Sequence, residues 1–306
     1  MISILIPIYN EVANVPLLHA ALKPVLTQVG DHEIIFIDDG SHDGTTDVIR
    51  AIAKKDTNTR AIFFRKNFGK SAALSAGSAI AKGDIIITMD GDLQDDPIEI
   101  PHFIAKIKEG YDLVVGWKYP RLDPFSKLFF SRIFNKLTSL LVGLKLHDYN
   151  CGFKAYRRDA LCNLKLHGDL HRYIPALLFW TGYRVCEIKV KHHPRKHGVS
   201  KYGLSRVFKG FFDLISIKFL HTYKRKPLLF FGVAGAASFT AGTLIAAYLL
   251  YVFITLGKLE SRPLIFLSLL CILLGVQLFS LGFLGVLIVD ATVKPEEQYD
   301  IQETIR

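Results

Sequence analysis

Cysteine is scarce: Cys151, Cys162, Cys186 and Cys271 are the only four in 306 residues, and no two form a Cys-x-x-Cys pair. That sets aside a disulfide framework and a thiolate zinc site, and these thiols are expected to be reduced packing residues. No basic lead precedes an apolar run at the amino terminus, where residues 1–9 go straight into a strand pattern, so no secretory signal is expected. Charge is missing altogether from residues 228–256 and 264–289, each longer than the roughly 20 residues a helix needs to cross a bilayer. Two transmembrane helices are expected there. Just ahead of them stand Lys218, Lys224, Arg225 and Lys226. By the positive-inside rule this flank, the preceding domain and both termini are expected in the cytoplasm. The net charge of +10 gathers at this membrane edge, which favours anionic headgroups and phosphates over nucleic acid.

What is present begins with alternation. Ile2, Ile4, Leu5 and Ile6 read as a strand stopped by Pro7, and Asn14 is placed to cap a helix over 15–28 that Gly30 ends. Strands follow at 32–37, 60–64, 84–89 and 113–116, with helices at 46–55, 70–81 and 99–109 between them. Such a chain is an α/β protein with a doubly wound, mostly parallel sheet. The dinucleotide fingerprint Gly-x-Gly-x-x-Gly is absent after the first strand. Acidic turns stand at strand ends instead, at Asp38 and Asp39 and within 88–97, read TMDGDLQDDP. Open α/β sheets bind ligands beyond the carboxyl ends of their strands, and Asp90, Asp92 and Gln94 offer the hard oxygens that hold Mg2+ or Mn2+ on a diphosphate. The alternative is an acidic turn that simply breaks up a buried strand.

Taken together, Pro7-x-Tyr9-Asn10-Glu11, Asp38-Asp39-Gly40-Ser41, the segment from Arg65 to Lys70 and Asp90-Gly91-Asp92-Leu93-Gln94-Asp95 resemble the nucleotide-sugar half of family 2 glycosyltransferases, with its Rossmann-like GT-A fold. The two spans and the segments after residue 117 are similar to the polyprenyl-phosphate members of that superfamily, which include dolichol-phosphate mannose synthases and bactoprenol glucosyltransferases. The resemblance implies a base and ribose pocket from Pro7, Tyr9, Asn10, Glu11, Ile37 and Asp39, with Lys70 and Gly91 also at the nucleotide sugar. It implies a metal held by Asp92 and Gln94, with Asp90 completing the shell or bonded to the sugar. Arg195 and Lys201 match a loop that closes on the diphosphate. His192, His193 and His197 crowd that loop, but no cysteine or carboxylate completes a zinc set.

For the acceptor, the resemblance points to Lys118, Lys127 and Arg132; related enzymes show Arg at the first two positions, and Lys lacks the bidentate fork. Their alternative reading is as snorkelling cations on an interfacial helix over 124–141. A second interfacial helix is expected over 204–221. Asp148, in Asp148-Tyr149-Asn150-Cys151-Gly152-Phe153-Lys154, takes an orienting role or is a structural cap, and some family members carry an acid where Gly152 stands. A general base is not required, because a phosphate monoester is already mostly dianionic at neutral pH. Residues 1–223 are expected to form the glycosyltransferase domain, 224–290 the membrane domain and 291–306 a tail. Small residues between Gly232 and Gly242 allow close helix packing, within the chain or in a homo-oligomer. The expectation is inverting transfer of one sugar from a nucleotide diphosphate sugar to a polyprenyl phosphate, with UDP-glucose ahead of GDP-mannose. The alternatives are a processive synthase, for which Gln-x-x-Arg-Trp is missing and the spans are too few, and a non-catalytic membrane-tethered nucleotide-binding module.

Overall fold

The computed structural model describes residues 1–120, 125–164, 166, 168–194, 213–214, 216–219, 222–223, 226–257 and 262–292. The expected helix over 204–221, most of its basic flank and the tail after 292 lie largely outside these residues. The chain divides into two units, Met1–Leu214 and Ile215–Arg306.

The first unit is built on seven strands: β1 (Ile2–Ile8), β2 (His32–Asp38), β3 (Thr59–Phe63), β4 (Ile85–Thr88), β5 (Leu113–Lys118), β6 (Lys154–Arg157) and β7 (Val185–Val190). They lie in the order β3-β2-β1-β4-β6-β5-β7. The helices between them are α1 (Asn14–Val29), α2 (Thr45–Lys55), α3 (Lys70–Ile80), α4 (Ile100–Lys108), α5 (Phe125–Val142), α6 (Arg158–Cys162) and α7 (Ile174–Trp180). The central strands are β-branched and buried on both faces: Ile4, Leu5, Ile6, Ile35, Phe36, Ile86 and Ile87 have no exposed surface. Continuous apolar runs of this kind are what a parallel sheet covered by helices demands. Most strand pairs are indeed parallel, and among the described residues β6 alone runs antiparallel, wedged between β4 and β5.

Two local expectations need correction. Asn14 is the first residue of α1 and does not cap it: buried, it donates from Nδ2 to Glu11 Oε2 at 2.6 Å, and Ala13 takes the cap position. Strands β6 and β7 were not anticipated. In KAYR and VCEIKV, charged residues interrupt the apolar pattern that marks the central strands.

From β1 the chain winds outward through β2 and β3, then returns to lay β4 on the other side of β1. The order therefore reverses between β1 and β4, and open α/β sheets bind ligands in the crevice beyond the carboxyl ends of such a pair.

The second unit contains two helices long and apolar enough to cross a membrane, α8 (Pro227–Leu256) and α9 (Arg262–Thr292). Gly232, Gly235 and Gly242 of α8 are buried, whereas Ala236, Ala237 and Ala241 point outward. A Cβ on Gly235 would stand 2.9 Å from Gly275 O, and one on Gly242 2.8 Å from Ile272 N. Ser268 Oγ donates to Gly242 O and Ser238 Oγ to Cys271 O, both at 2.8 Å. The glycines of the small-residue run are thus consumed by packing within this helical pair. Gly242→Leu should force α8 and α9 apart; hydrogen exchange in detergent is expected to quicken across both helices, and unchanged protection would contradict this packing.

Candidate active site

Three strand exits meet at the crevice. After β1, Asn10 adopts φ +55°, its N–H donates to Ser41 Oγ at 2.8 Å and its Oδ1 accepts from His42 N at 2.9 Å. Glu11 N–H donates to Thr45 Oγ1 at 2.9 Å. These bonds join the β1 exit to the β2 exit. Pro7 ends up inside β1, and Ile37 is fully buried, its Cδ1 beneath Gly77 of α3. Ile37 is thus part of the core under the pocket. Tyr9 is half-buried at the mouth.

Asp39 is 5% exposed and clamps the neighbouring loop: its two oxygens accept from Phe68 N at 2.7 Å and Gly69 N at 2.9 Å. Burial raises its pKa, with the two N–H bonds pulling the other way. Each oxygen keeps a second lone pair for a ligand donor. The same loop lies on Gly40, whose φ is +73° and where a Cβ would come within 2.6 Å of the Lys66 carbonyl carbon.

The β4 exit carries the carboxylates. A Cβ on Gly91 would meet Ile8 Cδ1 at 2.2 Å, which shows how closely this turn crosses the end of β1. Leu93 takes φ +60°, and Gln94 N–H donates to Asp92 Oδ1 at 3.3 Å, folding Asp92 and Gln94 into one tight bend. Asp90 is ion-paired with Lys70, the first residue of α3. Burial works against its ionisation, but the Lys70, Lys118 and Lys154 ammoniums override it and hold the carboxyl at about 2. The 148–154 segment passes alongside, so that a Cβ on Gly152 would fall 2.3 Å from Asp90 Oδ2. An acid at that position would need this segment to shift away from Asp90. Asp148 is buried and accepts from Asn150 N at 3.1 Å, the geometry of an Asx turn.

Three participants were not singled out in the sequence. Lys154, buried at the start of β6, donates to Cys151 O, and burial lowers its pKa to about 8. Its only sequence signal was its place at the end of the Asp148 segment. Asp95 is buried and paired with Lys118 at 3.1 Å. His171 Nδ1 lies 3.0 Å from Ser71 Oγ, and burial, reinforced by Lys70, keeps its imidazole neutral with a pKa of about 3. Arg132 is exposed on α5, whereas Arg195, Lys201 and the Lys127 side chain lie outside the described residues.

Residues 3–164, more than half of the chain, match Glycosyl transferase family 2. The chain belongs to this family. Dodecaprenyl-phosphate galacturonate synthase of Rhizobium johnstonii is 37% identical over 94% of this chain and 87% of that protein. Undecaprenyl-phosphate 4-deoxy-4-formamido-L-arabinose transferase of Aeromonas hydrophila is 32% identical over 100% and 94%. Among solved structures, glucosyl-3-phosphoglycerate synthase from Mycobacterium tuberculosis, in complex with Mn2+, UDP and phosphoglyceric acid, superposes with a TM-score of 0.56 at 19% identity, covering 72% of this chain and 78% of that one. The fold is accordingly GT-A, and the protein is a glycosyltransferase.

In this glycosyltransferase the Arg65–Gly69 loop is held by Asp39 and seated on Gly40. Gly40→Ala would combine left-handed strain with overlap on Lys66, at a cost of about 2 kcal/mol. Tryptic cleavage at Arg65 and Lys66 is expected to accelerate about 30-fold, the same energy read as loop opening. Wild-type cleavage rates would contradict this seating.

Proposed function

We propose that this enzyme transfers one sugar from a uridine diphosphate sugar to a polyprenyl phosphate at the cytoplasmic membrane face. The observation that carries this reading is the meeting of the Asp90–Gln94 turn with the β1 and β2 exits in one crevice. A nucleotide laid along the β1 and β2 exits would place its diphosphate over that turn. The relatives' names extend the reading to the acceptor, and the neighbour solved with UDP supports the base. Those names also favour a modified sugar, of the uronate or amino-pentose kind, over the glucose or mannose first expected.

The hard oxygens of a carboxylate and a carboxamide suit Mg2+ or Mn2+. Asp92 and Gln94 would hold the ion, with Asp90, already tied to Lys70, facing the sugar. Bound there, the cation neutralises the leaving diphosphate. Lys70 and Lys154 add positive potential where that charge develops. The lipid phosphate attacks the anomeric carbon as a dianion, and a single displacement inverts the configuration. Asp148 keeps its segment against Asp90 and needs to take no proton.

Helix α5 supports the acceptor side. Two of its buried positions are polar, with Asn135 donating to His147 O at 2.6 Å and Thr138 fully buried, while Ile133 and Leu140 are exposed beside Arg132 and Lys136. An apolar exposed face studded with cations suits the headgroup region of a bilayer. Arg132, with its planar fork, is the proposed clamp for the lipid phosphate. Lys127 lies on the same helix, and Arg195 and Lys201 are proposed to cover the diphosphate.

The test is a panel of labelled nucleotide sugars offered to membranes containing the protein, followed by solvent extraction. One uridine diphosphate sugar should label the lipid fraction; label that never enters lipid would overturn the reading. Asp92→Asn, or excess chelator, is expected to lower turnover about 100-fold or more with the fold intact. Arg132→Ala should weaken polyprenyl-phosphate use by about 2 kcal/mol, roughly 30-fold in kcat/KM, and leave donor binding by calorimetry nearly unchanged. Equal damage to donor affinity would remove Arg132 from the acceptor role.

A further inference from the structure

Lys118 closes β5 with its Nζ 3.1 Å from Asp95 Oδ1, and both groups are shut away, the lysine side chain 11% exposed and the aspartate 0%. Asp95 belongs to the same turn as Asp92 and Gln94. Its Oδ2 faces the Asp90 N–H at 3.5 Å, and its backbone bridges to His192 beyond β7. The residues on either side are fastened to the same stretch. His193 N–H donates to Gln94 O at 2.9 Å, and His193 Nε2 lies 3.1 Å from Asp96 Oδ2. The turn is therefore held by backbone bonds on its outer side and, underneath, by one enclosed ion pair. A buried charge deprived of its partner is strongly unfavourable, so the turn's position depends on that ammonium.

We infer that Lys118 is a positioning residue, fixing Asp95 and through it the Asp90–Gln94 turn, and is not a clamp for the acceptor phosphate. The inference rests on the metal and diphosphate role proposed for that turn. A phosphate carried on a lipid needs a cation it can reach, and Arg132 is exposed where Lys118 is enclosed. The residue type agrees: a lysine ammonium is a compact point charge suited to one carboxylate, whereas a phosphate clamp gains from an arginine fork.

The test uses the full-length protein in detergent with Lys118→Met, Asp95→Asn and the double variant. Mn2+ retention in the presence of UDP is read by electron paramagnetic resonance, and the KM for polyprenyl phosphate is measured at saturating donor. Each single variant should retain Mn2+ about tenfold less tightly with acceptor KM unchanged, and the double variant should lose clearly less than the two losses combined, because no charge is left stranded. A raised acceptor KM in Lys118→Met with Mn2+ retention intact would overturn the inference, as would additive losses. Should Lys118→Met not fold, Asp95→Asn decides alone. Freeing Lys118 would lower the acceptor KM if it were a clamp, whereas positioning predicts weaker Mn2+ retention and the same KM. Wild-type protein that takes up no Mn2+ with UDP would overturn the metal reading and this inference together, while wild-type uptake matched by every variant would overturn this inference alone.

Discussion

Charge buried at the carboxyl end of β4 is the constraint on which the site depends. Asp90 and Asp95 sit where a parallel sheet would otherwise present only apolar side chains, and carboxylates in such a place stay ionised only beside cations. Lys70 comes from the start of α3, Lys118 from the end of β5 and Lys154 from the start of β6, so cations from three separate elements converge on the carboxylates of this turn. The enclosed pair among these, Lys118–Asp95, adds little net stability but penalises every arrangement that separates it. The outcome is a turn whose carboxylates are held in place by the fold itself, the kind of preorganisation that the proposed electrostatic role requires.

The antiparallel strand β6 follows from the same requirement. Its register sets Lys154 beside Thr88, and Thr88 Oγ1 donates to Gly152 O at 2.8 Å, so the 148–154 segment is pressed against Asp90. Gly152 permits this approach because it has no Cβ. In the second unit glycine serves a different purpose, allowing α8 and α9 to pack at backbone distance where apolar burial offers no drive within a bilayer.

Much of this was legible in the chain. The isoleucine runs of β1, β2 and β4 and the uncharged stretches of α8 and α9 gave their elements directly, because burial on all sides leaves an unbroken apolar pattern. The acidic turns marked the carboxyl end of the sheet, because they recur at strand ends, although each alone also suits a plain turn. What stayed hidden depends on contacts distant in sequence. Nothing local to Asp95 or Lys118 says that they pair, and Lys154 reads only as the last residue of the Asp148 segment until β6 is placed against β4. Asp39 looked free to meet a base, yet it also holds the loop at Phe68 and Gly69. Asn14 looked like a cap, yet Glu11 draws its side chain inward as the first helical residue.

The central claim is that this crevice exchanges a diphosphate for a lipid phosphate in one displacement. It is tested most directly by following nucleoside diphosphate release from purified protein with and without polyprenyl phosphate, together with the sugar recovered in the lipid. The account predicts that release requires the lipid, matches lipid-linked sugar one for one, and yields a product bearing a single sugar of inverted configuration. Equal release without the lipid, a growing saccharide chain, or retained configuration would contradict it.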